Sequence, residues 1–518
     1  MSDGGDGPSG TVCPFCAVGC RLDRESGGGS RRVRGRAGPA NPDGHLCAQG
    51  LRAFDVVGDD ERFTGPLVRD ASGALRTATW DEAMERTVTG FERVREARGP
   101  DALAFLGAPQ CTNEENYLLA KLARTLGTNN VDNRARRCHA ATARALDERL
   151  GRPAATAGLP SLRAADVFLV VGANPAARQP VAFDSFVRPT VNAGATLVHV
   201  DPHENETTRA ADVRLAPRPG TDALLATLLS ALVVARGDVD RAFVDERTTG
   251  FDAFRESLTP AVVAGAATAD VPVETLRRVA SLVGEADGVV VMTGTGVDER
   301  ATADALVNLC LLTGNVGAPG TGVYPLRGLA NEQGASDVGC VPDRLPGHRP
   351  VSDDAARARL AAAWGHPVPP DPGESEDDLL AAFGEGVGAA LVVGENPAVS
   401  KRDPAVVARG LDALDTLAVQ EVAPSETTAH ADVVFPVAAG VEKGGTVTNL
   451  DRQVQRRRRL VAPPDGVRTD FAVLRELGRR LVGPGFAPPT PRATFAELAR
   501  VTPVYAGLSY DDIDRRSR

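Results

Sequence analysis

Lysine is nearly absent from this chain. Of its 58 basic residues only Lys121, Lys401 and Lys443 are lysines, and the rest are arginine, a skew that by itself separates no function from another. Also missing is any run of about 18 or more uncharged apolar residues, which excludes a membrane-spanning helix. The opening stretch, MSDGGDGPSGT, has no apolar core of the kind a secretory signal carries, so a cytoplasmic location is expected. There is no excess of positive charge. A net charge of −10 argues against non-specific nucleic-acid binding. The 518 residues exceed what one hydrophobic core supports, so several domains are expected.

Eight cysteines are present. Without an export signal disulfides are not expected, and clustered cysteines point to metal. Cys13, Cys16 and Cys20 share the segment CPFCAVGC, and Cys47 follows in LCAQG after a Gly/Arg-rich loop. Three thiolates on one tight loop and a fourth from a distance suit a [4Fe-4S] cubane. Zinc sites more often split into two C-x2-C knuckles. Zinc and a chance grouping stay open at this point, and one electron-carrying cluster does not account for so long a chain.

Two later segments repeat. DVFLVVGANPA (166–176) is similar to GAALVVGENPA (388–398), and TLVHVDPHENETTRAADVRLAPRPG (196–220) is similar to TLAVQEVAPSETTAHADVVFPVAAG (416–440). Each copy reads as an apolar strand, a glycine turn, a helix and a second apolar strand ending in an acidic residue. That pattern predicts a parallel sheet covered on both faces. Ligands of such sheets sit at the carboxyl ends of the strands. Gly172 and Gly394 are expected to let the backbone approach a pyrophosphate, and Asp201 and Glu421 stand where an acidic residue meets a ribose. A third strand, GVVVMTG, leads into Gly294 and Gly296. Two half-sites suggest two nucleotides or one large ligand held from both sides. A duplicated scaffold whose sites have decayed is the plain alternative.

Residues 134–141, RARRCHAA, place Cys138 directly before His139 in the field of Arg134, Arg136 and Arg137. That charge is expected to lower the thiol pKa. The plain alternatives are a small buried apolar side chain and a satisfied structural histidine.

Taken with TVCPFCAVGC, the segments CTNEENYLLAKLARTLGTNNVDN, RRCHAAT, LLTGNVGAPGTGVYPLRG, VVGENP and EKGGTVTNLDRQVQ carry a family likeness. From about residue 11 to its end the chain resembles the molybdenum/tungsten bis-pterin guanine dinucleotide (bis-MGD, bis-molybdopterin guanine dinucleotide) oxidoreductases, most closely the catalytic subunit of formate dehydrogenase. The resemblance implies an α/β fold: a small N-terminal [4Fe-4S] domain (1–65) and two doubly wound α/β domains with interleaved chain segments. One is drawn from 66–134 and 330–437, the other from 135–329, each holding one pterin dinucleotide. Residues 438–518 would return to pack on the cluster domain and the first α/β domain.

The resemblance also assigns roles. Cys13, Cys16, Cys20 and Cys47 would hold the cluster. Cys138 would ligate molybdenum or tungsten, a soft thiolate in a sulfur-rich shell. His139 would accept a proton. Arg327, in YPLRG, would aim the formate carboxylate through a two-pronged contact. Gly172, Asn174, Asp201, Gly220, Thr221 and Asp222 would hold one pterin dinucleotide. Gly294, Gly296, Gly394, Asn396, Gln420 and Glu421 would hold the other. Asp222 would accept from guanine N–H groups, with a helix N-cap as the competing reading. The implied partners are formate, and an electron-acceptor subunit or ferredoxin.

Three features depart from the family pattern. Gln49 stands where the family usually has a lysine between cluster and pterin. Leu329 follows PLRG where glutamine is common. The family's C-terminal β-barrel-like domain is not present, so either a separate chain supplies it or this chain is truncated or degenerate. The competing functions are a formylmethanofuran dehydrogenase-like or nitrate reductase-like enzyme, a non-catalytic electron-transfer or scaffold subunit, and a zinc-binding regulatory protein.

Overall fold

Continuous apolar runs set the two central sheets. Val167–Val171, Thr196–Val200 and Val289–Thr293 are buried along nearly their whole length, as strands covered on both faces must be. The computed structural model describes residues 10–25, 32–258 and 262–516, without the side chains of 262 and 263, so positions 1–9 of the polar N-terminal stretch lie outside it. Among the described residues one sheet has five parallel strands, in the order Val213–Leu215, Thr196–Val200, Val167–Val171, Val289–Thr293 and Gly322–Pro325. Its winding direction reverses between Val167–Val171 and Val289–Thr293, the place where doubly wound sheets bind ligands.

The other large sheet has seven strands, in the order Leu75–Thr77, Leu67–Arg69, Val433–Pro436, Thr416–Glu421, Ala389–Val393, Leu103–Gly107 and Val131–Asn133. The last five run parallel, and Leu67–Arg69 joins them antiparallel at the edge. Its reversal point lies between Leu103–Gly107 and Ala389–Val393, strands that come from distant parts of the chain.

The helix Asn113–Thr125 begins at a capping box, in which Thr112 and Glu115 each satisfy the other's backbone N–H. It is buried on every side from Asn113 to Arg124, because Asp470–Leu481 and Pro491–Val501 cover what the sheet does not. Its polar residues are therefore forced into internal pairs. The short strands Thr11–Val12, Arg21–Arg24 and Val33–Gly35 form an antiparallel sheet that frames the first three cysteines. The hairpin Gly445–Thr448 and Val454–Arg457 lies against that frame. Leu450 N–H donates to the Ala17 carbonyl at 2.8 Å, and Gln455 Nε2 donates to Gly19 at 3.0 Å. Among the described residues no helix is long and apolar enough to cross a membrane.

Candidate functional site

The pairing of Thr11–Val12 with Arg21–Arg24 closes the cysteine loop, with Cys13 N–H donating to the Cys20 carbonyl at 2.9 Å. Cys13, Cys16, Cys20 and Cys47 line one small cavity walled by Phe15, Val18, Leu46 and Val181. The Cys47 sulfur accepts from Gly50 N–H at 3.4 Å. Burial pushes the Cys13 thiol up to about 12 and Cys16 to about 11, raises Cys20 as well, and repulsion among the sulfurs adds to it. Thiols that resist ionisation one by one fit a shared cationic core. Among the described residues the one set of three or more metal-ligating atoms within 4.8 Å of one another is Cys111, Glu115 and Asp470. The four cluster sulfurs thus stand further apart than around a single zinc ion, where Zn–S bonds of about 2.3 Å draw them together. The donor set fits a [4Fe-4S] cubane.

A cavity of about 520 Å³ opens beside the cysteines, at the carboxyl ends of the seven-stranded sheet. Gln49 borders both spaces, with Gln110, Cys111, Gly394 and Glu421 on the far wall. Gln420, at the end of the same strand as Glu421, is fully buried with both amide atoms unpartnered, and Gln110 Oε1 is unpartnered too. Such groups cost about 1–3 kcal/mol each unless a ligand satisfies them. Of these, Gln110 lines the cavity and Gln420 does not, and the free Gln110 oxygen fits a heterocycle that carries N–H donors, as a pterin dinucleotide does. Burial, with Asp470 adding, pushes the Glu421 carboxyl up to about 7. The Cys111, Glu115 and Asp470 donors converge without making a metal site. The Lys443 ammonium already sits between Glu115, at 2.9 Å, and Asp470.

Cys138 and His139 end the helical turn Arg136–His139, which links the strand Val131–Asn133 to the helix Ala140–Leu150. Cys138 is exposed. Of the three neighbouring arginines only Arg134 acts to lower its pKa as the sequence suggested, and the net shift is upward. Partial desolvation of the sulfur by the groups around it, then Glu332, raises it although the residue is exposed, and Arg134, Lys401 and Arg327 offset that only in part. The reason is geometric: Arg136 is clamped on Asp132 at 2.6 Å, and Arg137 pairs with Asp377. His139 is 1% exposed with both ring nitrogens unpartnered. Burial and then the Arg327 charge push its pKa down to about 3, so the imidazole is neutral.

Arg327 is 2% exposed and borders a cavity of about 270 Å³ that Arg136, Arg144, Arg300, Arg344 and His348 also line. Its Nε donates to Gln333 at 2.9 Å, Nη1 to Glu332 at 3.2 Å and Nη2 to the Pro153 carbonyl at 3.1 Å. A guanidinium has five N–H donors, so one on each Nη remains for a substrate. Leu329 N–H contacts the same Glu332 carboxylate at 3.4 Å.

The repeated turns are built alike. Gly172 N–H donates to Val200, and Gly394 N–H to Gln420. Asn174 Nδ2 donates to Glu206 at 2.7 Å while its Oδ1 accepts from the Thr207 hydroxyl and amide. Asn396 does the same with Glu426 and Thr427. Both amides are therefore already engaged in holding two loops together. Gly172 has φ +56° and is pressed on the other glycine turn. A Cβ there would lie 2.9 Å from Gly296, and one on Gly294 would lie 2.3 Å from the Gly172 carbonyl oxygen. Close chain packing thus explains these three glycines without a pyrophosphate. Asp201 accepts from His203 N–H at 2.8 Å. Gly220 has φ +83° and open space beside it, and the Thr221 hydroxyl donates to Arg218. Asp222 is the first residue of the helix Asp222–Arg236. Thr221 is the cap residue, so the N-cap reading of Asp222 does not hold.

Several charged residues of the site carried no signal that singled them out in the sequence. Glu395, next to Gly394, meets Lys401 at 2.5 Å, and Lys401 also meets Glu376 at 2.5 Å. Lys443 and Arg457 lie in the EKGGTVTNLDRQVQRRRR stretch, legible as a motif but not residue by residue.

The sequence pattern of the molybdopterin oxidoreductase family matches residues 62–480, and that of the molybdopterin oxidoreductase Fe4S4 domain matches 9–59. The Bacillus subtilis (strain 168) protein named "Probable oxidoreductase YjgC" is 34% identical over 513 residues, 97% of this chain and 52% of its own length. The chain thus spans about half of that relative. The F420-dependent formate dehydrogenase 1 subunit alpha of Methanococcus maripaludis is 34% identical over 512 residues, 97% of this chain and 74% of its own. Among solved structures, acetylene hydratase from Pelobacter acetylenicus superposes with a TM-score of 0.79 at 16% identity, covering 98% of this chain and 73% of that one, a likeness of fold.

Proposed function

The chain belongs to the molybdopterin oxidoreductase family, and from that premise we propose that it interconverts formate and carbon dioxide. Electrons would pass through a [4Fe-4S] cluster on Cys13, Cys16, Cys20 and Cys47 to an acceptor subunit or a ferredoxin. A bis-pterin molybdenum or tungsten centre, with Cys138 as its protein ligand, supplies the two-electron redox chemistry when bound. The observation that carries the reading is the placement of Arg327. It is a buried guanidinium on a cavity wall, and its charge reaches both Cys138 and His139.

The residues of the chain then act as follows. Arg327 binds the formate carboxylate with its two remaining Nη–H groups, and Glu332 and Gln333 fix the guanidinium plane so that the C–H bond has one orientation. Little water competes at so buried a site, which strengthens the charge pairing. His139 takes the released proton at a free ring nitrogen. Burial and Arg327 both disfavour the imidazolium, but only the second changes during turnover. A carboxylate paired with Arg327 offsets that charge and makes His139 more basic while substrate is bound. Formate loses one proton and two electrons, and carbon dioxide leaves. The two relatives named as formate dehydrogenase alpha subunits of Methanococcus maripaludis support the same substrate.

The test is viologen-linked activity of protein purified without oxygen, with formate against nitrate. Cys138→Ala is expected to abolish formate-dependent dye reduction while the absorbance of the iron–sulfur cluster persists. Turnover at the wild-type rate in that variant, or nitrate-only activity in the wild type, overturns the reading.

A further inference from the structure

Arg457 is the charge that the site described above leaves without a purpose. It ends the strand Val454–Arg457, opposite Gly445, and is 0% exposed. Nη1 donates to the Gln110 carbonyl at 2.7 Å, while Nε and Nη2 have no hydrogen-bond partner. Among the described residues no carboxylate comes within the 4.0 Å of an ion pair. A guanidinium does not shed its proton at any ordinary pH, so this is a buried cation without a direct ion-pair partner, an arrangement proteins rarely keep.

Four groups lie within reach of its charge: Glu115 first, then Cys111, Cys13 and Glu114. Glu115 already meets Lys443 at 2.9 Å, and Glu114 accepts from the Thr446 and Tyr510 hydroxyls, which leaves the sulfurs of Cys13 and of Cys111, on the wall of the 520 Å³ cavity. The strand Thr11–Val12 leads straight into Cys13 and packs on Val454–Arg457, with Arg458 N–H donating to Thr11 Oγ1 at 2.9 Å. A [4Fe-4S] cluster on four thiolates is a net anion and gains one more negative charge on reduction. A fixed cation beside it therefore favours the reduced form. Gln49, which borders both the cysteine cavity and the larger one, is neutral and cannot supply that charge.

We propose that Arg457 is the buried counter-ion of the cluster and that it raises the cluster's reduction potential. This is a positioning role, acting through the Cys13 side of the cluster. It rests on the cluster and not on formate as substrate.

The experiment is an EPR-monitored redox titration of the full chain reconstituted with iron and sulfide, first without and then with pterin. Arg457→Gln and Arg457→Met, two neutral side chains of different shape, are expected to lower the midpoint by about 59 mV, a tenfold fall in a one-electron reduction equilibrium. Arg457→Lys keeps the charge and is expected to keep most of the potential. A neutral variant with a full complement of iron and an unmoved midpoint overturns the proposal. So does a midpoint that shifts only in pterin-loaded protein, since the counter-ion would then be the cofactor in the larger cavity. Should both neutral variants fail to fold, Arg457→Lys decides: a potential close to wild type supports the charge role, and a tenfold fall overturns it. Formate turnover is not among the readouts, so failure here and failure of the formate assignment are told apart.

Discussion

The turns at Gly172 and Gly394 share sequence, backbone conformation and hydrogen bonds, yet they meet different surroundings. The first is clenched against Gly296 at the reversal point of the five-stranded sheet, where no methyl group fits. The second has only ordinary contacts at 3.4 Å, to Ala108 and the Cys111 sulfur, and opens on the 520 Å³ cavity. The residue after each turn differs as well. Ala173 in the first copy is replaced by Glu395 in the second, which is buried in an ion pair with Lys401. The bonds that make the fold are the same in both copies, and the difference falls on the residue beside the turn.

The comparison can be broken most severely at the glycines. Gly172→Ala adds a methyl 2.9 Å from Gly296 at a left-handed φ and is expected to cost about 3 kcal/mol or more. Gly394→Ala faces the backbone penalty alone, about 1–2 kcal/mol. Urea unfolding of the two variants measures the difference, and equal losses would contradict it. The asparagines make the opposite case. Asn174→Ala and Asn396→Ala remove the same bonds from the two copies, so each is expected to lose about 1–2 kcal/mol, equal to within experimental error. A strongly unequal pair would show that the two copies are not equivalent scaffolds.

The smallest effect is a pH dependence confined to the second copy. Burial raises the Glu421 carboxyl from 4.5 to about 7, so the folded protein holds a proton that the unfolded chain releases. That contribution to stability is present in full below pH 4.5, fades as pH rises, and is gone above about 7. Glu421→Gln should flatten the stability profile across this window, by about 1 kcal/mol after solvent screening. Thermal unfolding between pH 4.5 and 8 would check it, and an unchanged slope would place the proton elsewhere.

The cysteine loop, the apolar strands and the glycine turns were legible in the sequence because each is local, carried by spacing and period within about a dozen residues. The α/β class followed from the repeat for the same reason. Of the arginines beside Cys138, Arg134 acts on the thiol as expected, but Arg136 and Arg137 are taken up by carboxylates that are not all local. Asp132 lies only four residues from Arg136, but Asp377 meets Arg137 from 240 residues along the chain. Asn174 and Asn396 were read as cofactor contacts, and what the sequence did not show is that their amides also bind about 30 residues further along the chain, to Glu206 and Thr207 and to Glu426 and Thr427.

The three lysines show where the boundary lies. The sequence shows only their rarity, whereas each proves to be paired with acids: Lys121 with Glu497 alone, and Lys401 and Lys443 between two, Glu376 and Glu395 for one and Glu115 and Asp470 for the other. A compact ammonium with three donors suits a place between two acids better than a planar fork does. The sequence by itself determined a four-thiolate site and parallel sheets, because thiol spacing and strand patterning act over short range, and its long family motifs added the pterin cofactor by resemblance. Only the tertiary structure decided which charges are compensated and which, like Arg457, are left to find their anion in a bound group. Desolvation and ion pairing depend on what distant segments bring within a few ångströms of each atom, and no short stretch of chain contains that information.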